Sequence, residues 1–301
     1  MNELRFDGRV AVISGAGRGL GRAYALLLAS RGAKVVVNDN GSAIAGAAED
    51  HGPAESVVEE IRRQGGTAMV STASVASPDE AAQIVRDAID AFGRIDILVH
   101  NAGNVRRAPI HEMSDEAYHS VVDVHLSGGF YLARAAIPHM REQRYGRFVL
   151  TSSIGGFYGN ANVVNYCVAK AGLMGLSRAI AVENAEFGIQ SNLILPGAVT
   201  RLSEGIDTSQ FPPMEPDKVA PMVGWLAHES CDRSGEIFAA VAGRMAKFEI
   251  AETQGVFAQD WTIETIAARR DEITATEDEK RFGLNGFQEH LGFSFAMAKA
   301  N

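Results

Sequence analysis

The chain has 301 residues, 46% of them hydrophobic, which is enough for one large α/β domain or for a core domain with an appendage. Its formal net charge of -9 argues against a general binder of nucleic acid or anionic membrane, so neither partner is expected. No apolar run approaches the roughly 18 residues of a membrane span, and residues 1–9 are charged where a signal peptide would be apolar. We expect a globular cytoplasmic protein.

The N-terminal part has the order strand, glycine turn, helix that is typical of dinucleotide-binding folds. The glycines do not fit the G-x-G-x-x-G spacing, so the prediction rests on physical requirements: a tight turn, backbone amides that face a pyrophosphate, and a helix N-terminus that favours negative charge. An ordinary strand-to-helix turn is the alternative. The cofactor contacts predicted in this turn are Gly15, Arg18, Gly19, Leu20 and Gly21.

The second strand ends in Asp39, 18 residues after Gly21. A carboxylate at this point can accept hydrogen bonds from the adenosine ribose, and it would repel a 2′-phosphate, so it favours NAD over NADP. Arg18 argues in the other direction because a cation inside the glycine turn could bind that phosphate. We give Asp39 more weight and predict NAD as the cofactor.

Short apolar runs and helical patterns alternate along the rest of the chain, which predicts an α/β fold: a Rossmann-like, doubly wound parallel sheet with right-handed crossovers. Residues 40–52, rich in glycine and alanine, form an inserted loop. Asn101, Ala102 and Gly103 follow the fourth strand, at the sheet edge where ligands bind in such folds. The predicted strands are residues 9–14, 33–39, 67–71, 95–100, 147–153 and 189–195, and the predicted helices are residues 22–30, 53–64, 78–92, 114–141 and 163–187.

Tyr166 and Lys170 lie four residues apart on a predicted helix, so the phenol and the ammonium share one helix face. Ser153 closes the fifth apolar run, from which its hydroxyl could reach the same space. Such a group of side chains could move a proton while a cofactor moves a hydride. The tyrosine and lysine pair alone is a weak signal, because a solvated helix face with a half-buried tyrosine has the same pattern. Cys167 and Cys231 are too few for a disulfide framework and too far apart for a metal motif, so we predict reduced, buried cysteines and no metal.

Several spacings coincide in chain order. These are the glycine turn, Asn101-Ala-Gly103, the serine 13 residues before Tyr166, the Tyr-x3-Lys pair and a Pro-Gly pair at 196–197. Over residues 6–241 the chain therefore resembles the short-chain dehydrogenase/reductase family. The resemblance implies catalytic roles for Ser153, Tyr166 and Lys170. It further implies cofactor contacts by Ser74, Val75, Asn101, Ala102, Gly103, Tyr166, Lys170, Pro196, Gly197 and Val199.

A narrower resemblance is to the (3R)-hydroxyacyl-CoA dehydrogenase domains of peroxisomal multifunctional enzymes type 2, also called 17β-hydroxysteroid dehydrogenases type 4, and to their bacterial relatives. It implies an NAD-dependent oxidation of a 3-hydroxyacyl-CoA or of a steroid alcohol. The segments that carry it are residues 5–9, 21–26, 36–39, 91–96, 124–126 and 228–231.

The chain departs from the common family pattern at several positions. His125 stands where many members have an asparagine of a proton relay, and it is either a catalytic relay member or a core histidine. Ser74 replaces the usual aspartate near the adenine, which leaves Val75 to contribute its main chain. Thr200 stands one place early, with Arg201 in the usual threonine position, so the backbone of Val199 is the safer candidate for contact with the nicotinamide.

The hypothesis for catalysis is that Tyr166 removes the proton of the substrate hydroxyl while hydride leaves for the nicotinamide, with Ser153 holding the substrate oxygen. A free phenol has a pKa of ~10, and lowering it to ~7 requires about 4 kcal/mol. A unit charge about 4 Å away at an effective dielectric of ~20 supplies that amount. Lys170, assisted by the positive nicotinamide ring, is therefore expected to lower the pKa of Tyr166.

Beyond the common core, residues 244–301 are predicted to be a helical C-terminal extension of the catalytic domain, residues 1–243. Helical patterns cover residues 262–273 and begin again at 276–279, and apolar residues follow that need cover. The extension packs on the substrate side, reaches a neighbouring subunit, or wraps its own core. The expected assembly is a homodimer or homotetramer.

Three other functions stay open at this point. An NADPH-dependent ketoreductase and a steroid 17β-alcohol dehydrogenase are alternatives within the enzymes, and a silent NAD-binding sensor is the alternative outside them. The intact Ser153, Tyr166 and Lys170 set disfavours the sensor. Arg106, Arg107 and Arg201 could contact CoA phosphates, although solvated surface arginines would show the same pattern.

Overall fold

A computed structural model describes residues 3–42, 52–200, 207 and 209–300 of the chain. Residue 201 and most of the inserted loop, residues 43–51, lie outside the described residues. The strands are β1 Val10–Ser14, β2 Lys34–Asn38, β3 Thr67–Ser71, β4 Ile97–His100, β5 Gly146–Thr151, β6 Ile189–Gly197, β7 Ile237–Val241 and β8 Arg244–Phe248.

Helices connect most of these strands along the chain. The predicted long helix over 114–141 is one helical run whose middle, Asp123–Ser127, is a π-helical turn. None of the helices in the described ranges is long and apolar enough to cross a bilayer. The helices are α1 Gly19–Ser30, α2 Gly52–Arg63, α3 Pro78–Phe92, α4 Asp115–Val122, α5 Gly128–Gln143, α6 Gly155–Tyr158, α7 Val164–Glu183, α8 Ala220–Ala227, α9 Ile263–Ala268, α10 Arg270–Ile273 and α11 Gly286–Ala300.

The strands form one sheet in the order β3-β2-β1-β4-β5-β6-β7-β8, and each neighbouring pair from β3 to β7 is parallel. Every residue of β1, β4 and β5 is buried, as expected for strands with helices on both faces. The order reverses between β1 and β4, where Ser14 is in register with His100. The predicted Rossmann-like fold is confirmed, and this reversal marks the sheet edge where ligands bind.

Two strands were not predicted from the sequence. β7 is a five-residue apolar run that pairs with β6, and it is joined to β8 by Ala242 and Gly243, both with positive φ (49° and 83°). Two such residues form the tight turn of an antiparallel hairpin. A short apolar run carries no periodicity of its own, so its pairing partner decides that it is a strand.

The chain forms two compact units, Met1–Lys247 and Phe248–Asn301. The predicted boundary, between 243 and 244, lies in the β7–β8 turn, four residues before this division. In the second unit the Thr262 side chain caps α9, as its sequence indicates. The helix predicted to begin at 276–279 is wrong: this segment leads instead into an antiparallel backbone pair between Glu252 and Lys280. The last helix begins only at Gly286.

Candidate active site

The turn after β1 is a backbone cradle that only glycine can form. Gly15 and Gly19 have positive φ, 63° and 53°. A Cβ atom on Gly15 would lie 2.7 Å from the Cα of Ala102, and one on Gly21 would lie 2.1 Å from the carbonyl oxygen of Gly15. Helix α1 begins at Gly19 without a side-chain cap at Arg18, so its first-turn amides face the turn. The turn therefore fits a pyrophosphate.

A cavity of about 450 Å³ opens above this turn. It brings together ten of the predicted cofactor contacts: Gly15, Arg18, Gly19, Leu20, Asp39, Ser74, Val75, Asn101, Ala102 and Gly103. Gly21 is buried beneath the turn. The cavity lining does not include the other five predicted cofactor contacts, which are Tyr166, Lys170, Pro196, Gly197 and Val199. The lining residues that were not predicted as cofactor contacts are Asn38, Asn40, Ser42, Ala73, Ala76, Asn104, Arg106, Ser120, Asp123, Val124 and Thr200.

Asp39 is held rigidly at the cavity wall. One carboxylate oxygen accepts a hydrogen bond from the Gly17 amide at 2.9 Å, and the other accepts one from the Gly41 amide, also at 2.9 Å. A Cβ atom on Gly17 would lie 2.8 Å from the carboxylate, so a glycine is needed here as well. The glycine turn, the start of α1 and this carboxylate are the three groups that a dinucleotide requires, and the described residues therefore fit such a cofactor.

Tyr166 lies in the first turn of α7, and the Ser153 hydroxyl is near enough to its phenol to affect the pKa of that group. The Ser153 hydroxyl also accepts a hydrogen bond from the Gly155 amide at 3.1 Å, which fixes its position two residues past the end of β5. Burial raises the pKa of Tyr166 above its ordinary value, and the nearby Ser153 hydroxyl lowers it by less. The predicted lowering of this pKa requires the positive nicotinamide ring as well as Lys170, and it stays a prediction.

Lys170 is buried close to the Tyr166 ring. The side chain is buried on the inner face of α7, its Nζ donates a hydrogen bond to the carbonyl of Thr151, and it lies 5.5 Å from the centroid of the Tyr166 ring. Burial lowers the pKa of Lys170 from 10.5 to about 7. The same low-dielectric surroundings disfavour both the ammonium and the phenolate. Lys170 alone is therefore not a sufficient cause for an acidic phenol.

His125 lies in the π-helical turn and is buried. Its ring packs edge-on against the Tyr166 ring, with centroids 5.3 Å apart, and its Nε2 lies 3.0 Å from the amide nitrogen and 2.9 Å from the carbonyl oxygen of Asn104. Its Nδ1 has no hydrogen-bond partner among the described residues. Burial lowers the pKa of His125 well below its usual range, so the ring is neutral. It is a packed residue, and its part in a proton relay stays a prediction.

Gly103 lines the cavity and lies directly against the His125 ring. A Cβ atom on Gly103 would lie 2.3 Å from Cε1 of His125, so any larger residue would displace the imidazole from Tyr166. The wall of the cavity and the tyrosine are thus separated by one ring.

A hydrogen-bond network that was not predicted from the sequence connects the ends of β1 and β4 to the π-helical turn. The Ser14 hydroxyl oxygen accepts from the amides of Asn101 and Ala102, both at 3.1 Å, and lies 2.9 Å from Nδ1 of His100. Nε2 of His100 lies 2.8 Å from the carbonyl oxygen of His125. Since burial lowers the pKa of His100 to about 4, its neutral ring accepts from Ser14 and donates to that carbonyl.

The two cysteines differ in exposure. Cys231 is buried, as expected, whereas Cys167 is only half-buried. Cys167 follows Tyr166 directly, and consecutive helix residues point about 100° apart, so its side chain leaves the face that carries Tyr166 and Lys170.

The family model of short chain dehydrogenases matches residues 9–208. With the fold and this site, the match shows that the chain belongs to the short-chain dehydrogenase family, whose members are oxidoreductases that bind a nicotinamide dinucleotide.

Among its relatives is the peroxisomal multifunctional enzyme type 2 of Drosophila melanogaster, 45% identical over 84% of this chain and 42% of that protein. A short-chain type dehydrogenase/reductase of Mycobacterium tuberculosis is 41% identical, with 92% of this chain and 97% of that protein covered. The solved full-length Drosophila enzyme superimposes with a TM-score of 0.83 at 36% identity, over 99% of this chain and 50% of that one. The predicted resemblance is confirmed, and the chain spans less than half the length of the fly relative.

Proposed function

We propose that the protein oxidises the secondary alcohol of a 3-hydroxyacyl-CoA with NAD. The observation that carries the proposal is the grouping of Tyr166 with Lys170 and Ser153, one ring away from the dinucleotide cavity. Two neighbouring hydroxyls can hold one substrate oxygen and exchange its proton. The name of a Synechocystis relative, a 3-oxoacyl-[acyl-carrier-protein] reductase that is 37% identical, supports an acyl substrate. A yeast relative, 42% identical, is named a peroxisomal hydratase-dehydrogenase-epimerase.

The cofactor would accept the hydride, and the side chains would bind the substrate oxygen and move its proton. The bound NAD supplies the hydride acceptor and a positive ring. Tyr166 takes the hydroxyl proton of the substrate, and Ser153 donates a hydrogen bond that holds the same oxygen. Lys170, which already donates to the Thr151 carbonyl, adds positive charge at the tyrosine when it is protonated. Since burial raises the pKa of Tyr166, a protonated Lys170 and the positive ring of a bound NAD would together have to lower it for the phenol to act as a base.

Arginine side chains are the groups expected to contact the phosphates of CoA. Arg106 lines the cavity and its neighbour Arg107 is exposed, so both are placed where a phosphate could approach. Arg201, the third arginine considered, lies outside the described residues. A cytoplasmic location and a homodimer or homotetramer belong to the same proposal.

The test is a turnover screen of the purified protein with NAD and NADP against 3-hydroxyacyl-CoA esters of increasing chain length, in both enantiomers, followed by NADH absorbance. We expect NAD-dependent turnover of the 3R esters, with the 3S esters as the matched control. Steroid alcohols form a second set that checks the 17β-alcohol alternative. Turnover only in the reducing direction with NADPH would favour the ketoreductase, for which Arg18 at the cavity wall is the supporting observation. Absence of turnover with every substrate would favour the silent sensor.

Replacing Asp39 with asparagine tests the preference for NAD. The variant keeps the size of the side chain and removes the charge that repels a 2′-phosphate, so the ratio of kcat/KM for NAD to that for NADP should fall about tenfold or more. Asp87→Asn, on α3, is the matched control and should leave the ratio unchanged. An unaltered ratio in Asp39→Asn would remove the carboxylate from the argument for NAD.

A further inference from the structure

Asn165, the residue before the catalytic tyrosine, is completely buried and hydrogen-bonded on both sides of its amide. Its Oδ1 accepts a hydrogen bond from the Tyr166 amide at 2.8 Å. Its Nδ2 donates to the carbonyl oxygens of Arg106 at 3.2 Å and Ala117 at 3.1 Å, and lies 3.4 Å from the sulfur of Met113. One side chain thus connects the start of α7, the start of α4 and the segment between β4 and α4.

The segment held in this way is part of the cavity. Asn104 and Arg106 line it, and Asn104 also contacts the His125 ring that packs against Tyr166. The stretch that contains both, residues 104–109, is termed the wall. A second attachment lies at the other end of this wall, where the Ala108 amide donates to the carbonyl of Asn162 at 2.9 Å beside an isolated bridge to Val163. Both attachments lead to the N-terminal end of the helix that carries Tyr166.

The two halves of the Asn165 amide have separate effects. Oδ1 satisfies one of the amides that a helix N-terminus leaves without an internal partner, and it therefore fixes the turn from which Tyr166 projects. Nδ2 satisfies carbonyl oxygens of the wall and of α4, and these carbonyls would lose a partner if the donor were removed. Oδ1 of Asn165 therefore positions Tyr166, whereas Nδ2 positions the wall.

We propose that Asn165 is a positioning residue that holds residues 104–109 at a set distance from the catalytic tyrosine and so determines how the substrate enters. The inference rests on the proposed dehydrogenase function for its kinetic consequence, but the attachment itself can be observed without turnover.

Asn165→Asp separates the two effects. The carboxylate keeps an acceptor for the Tyr166 amide and places an oxygen opposite the carbonyls of Arg106 and Ala117, so the wall should be released. We expect KM for the 3-hydroxyacyl-CoA to rise about tenfold, with Kd for NAD changed less than about twofold. Asn165→Ala removes both halves of the amide and should lower kcat in addition.

Asn184→Ala is the matched control. Asn184 is equally buried at the C-terminal end of the same helix, where it accepts from Arg141 and donates to the carbonyl of Ile180. Its loss should cost stability without changing KM. A KM that rises equally in the control, or stays unchanged in Asn165→Asp, would overturn the proposal.

Amide hydrogen exchange supplies a measurement that does not depend on the substrate. Peptides covering residues 104–113 should exchange faster in both Asn165 variants than in the wild type and in Asn184→Ala. If the wild type turns over no hydroxyacyl-CoA but this exchange still rises, the proposed function fails and the attachment stands. If exchange is unchanged in both Asn165 variants, the attachment fails whatever the substrate proves to be.

Discussion

Replacing Tyr166 with phenylalanine is expected to lower kcat by a factor of about 10² to 10⁴, the range that one general acid or base contributes. The change removes a single hydroxyl and leaves the ring packed edge-on against His125. Loss of the hydroxyl should cost only about 1 kcal/mol of unfolding free energy. Affinity for NAD should therefore stay close to that of the wild type, which titration of cofactor fluorescence can measure.

Tyr158→Phe is the matched control, because Tyr158 lies on α6, shortly before the catalytic helix, and its side chain is exposed. It should retain wild-type turnover. In the direction of alcohol oxidation, the wild-type rate should rise with pH as Tyr166 loses its proton, and this rise should vanish in Tyr166→Phe. Turnover near the wild-type level in Tyr166→Phe would reject the tyrosine as the base.

Replacing Lys170 with methionine is expected to abolish turnover, weaken NAD binding and raise the stability of the protein at pH 7. The folded state lowers the pKa of this amine from 10.5 to about 7. Multiplied by about 1.4 kcal/mol per pKa unit, the difference gives on the order of 5 kcal/mol as the upper limit of the cost of keeping the charged lysine buried. The variant avoids this cost and loses the hydrogen bond to the Thr151 carbonyl.

The stability that Lys170→Met gains over the wild type should depend on pH. Between pH 7 and 10.5 the unfolded lysine binds a proton that the folded one does not, so the stability of the wild type rises with pH through this window. The advantage of Lys170→Met should be complete at pH 7 and below, and should shrink toward pH 10. Urea unfolding across this range measures it. Lys34→Met, which changes an exposed lysine, should show no such trend. A variant less stable than the wild type at pH 7 would contradict the prediction.

Local signals in the sequence were sufficient for several of the regular elements. Helix α3 has its predicted bounds because Ser77 caps its first turn, Pro78 begins it, and Gly93 ends it with a positive φ of 80°. Strand β3 also has its predicted bounds. In contrast, β7 is a strand because β6 lies beside it, and residues 276–279 are not helical. The structure of these two segments is determined by pairing with residues far away in the sequence.

The candidate site also has features that follow from local sequence and features that depend on tertiary packing. By itself the sequence determined the parallel sheet, the glycine turn, the Asp39 carboxylate and the pairing of Tyr166 with Lys170, because each depends on the period of a helix or strand or on the freedom of glycine at a turn. Only the tertiary structure decided the ionisation of the tyrosine and lysine. Burial is set by every element that packs around a group. It raises the pKa of Tyr166 and lowers that of Lys170, and in both cases it favours the uncharged form. The contacts of Asn165 and His100 were likewise decided by folding, because a hydrogen bond joins residues whose separation along the chain leaves no periodic trace.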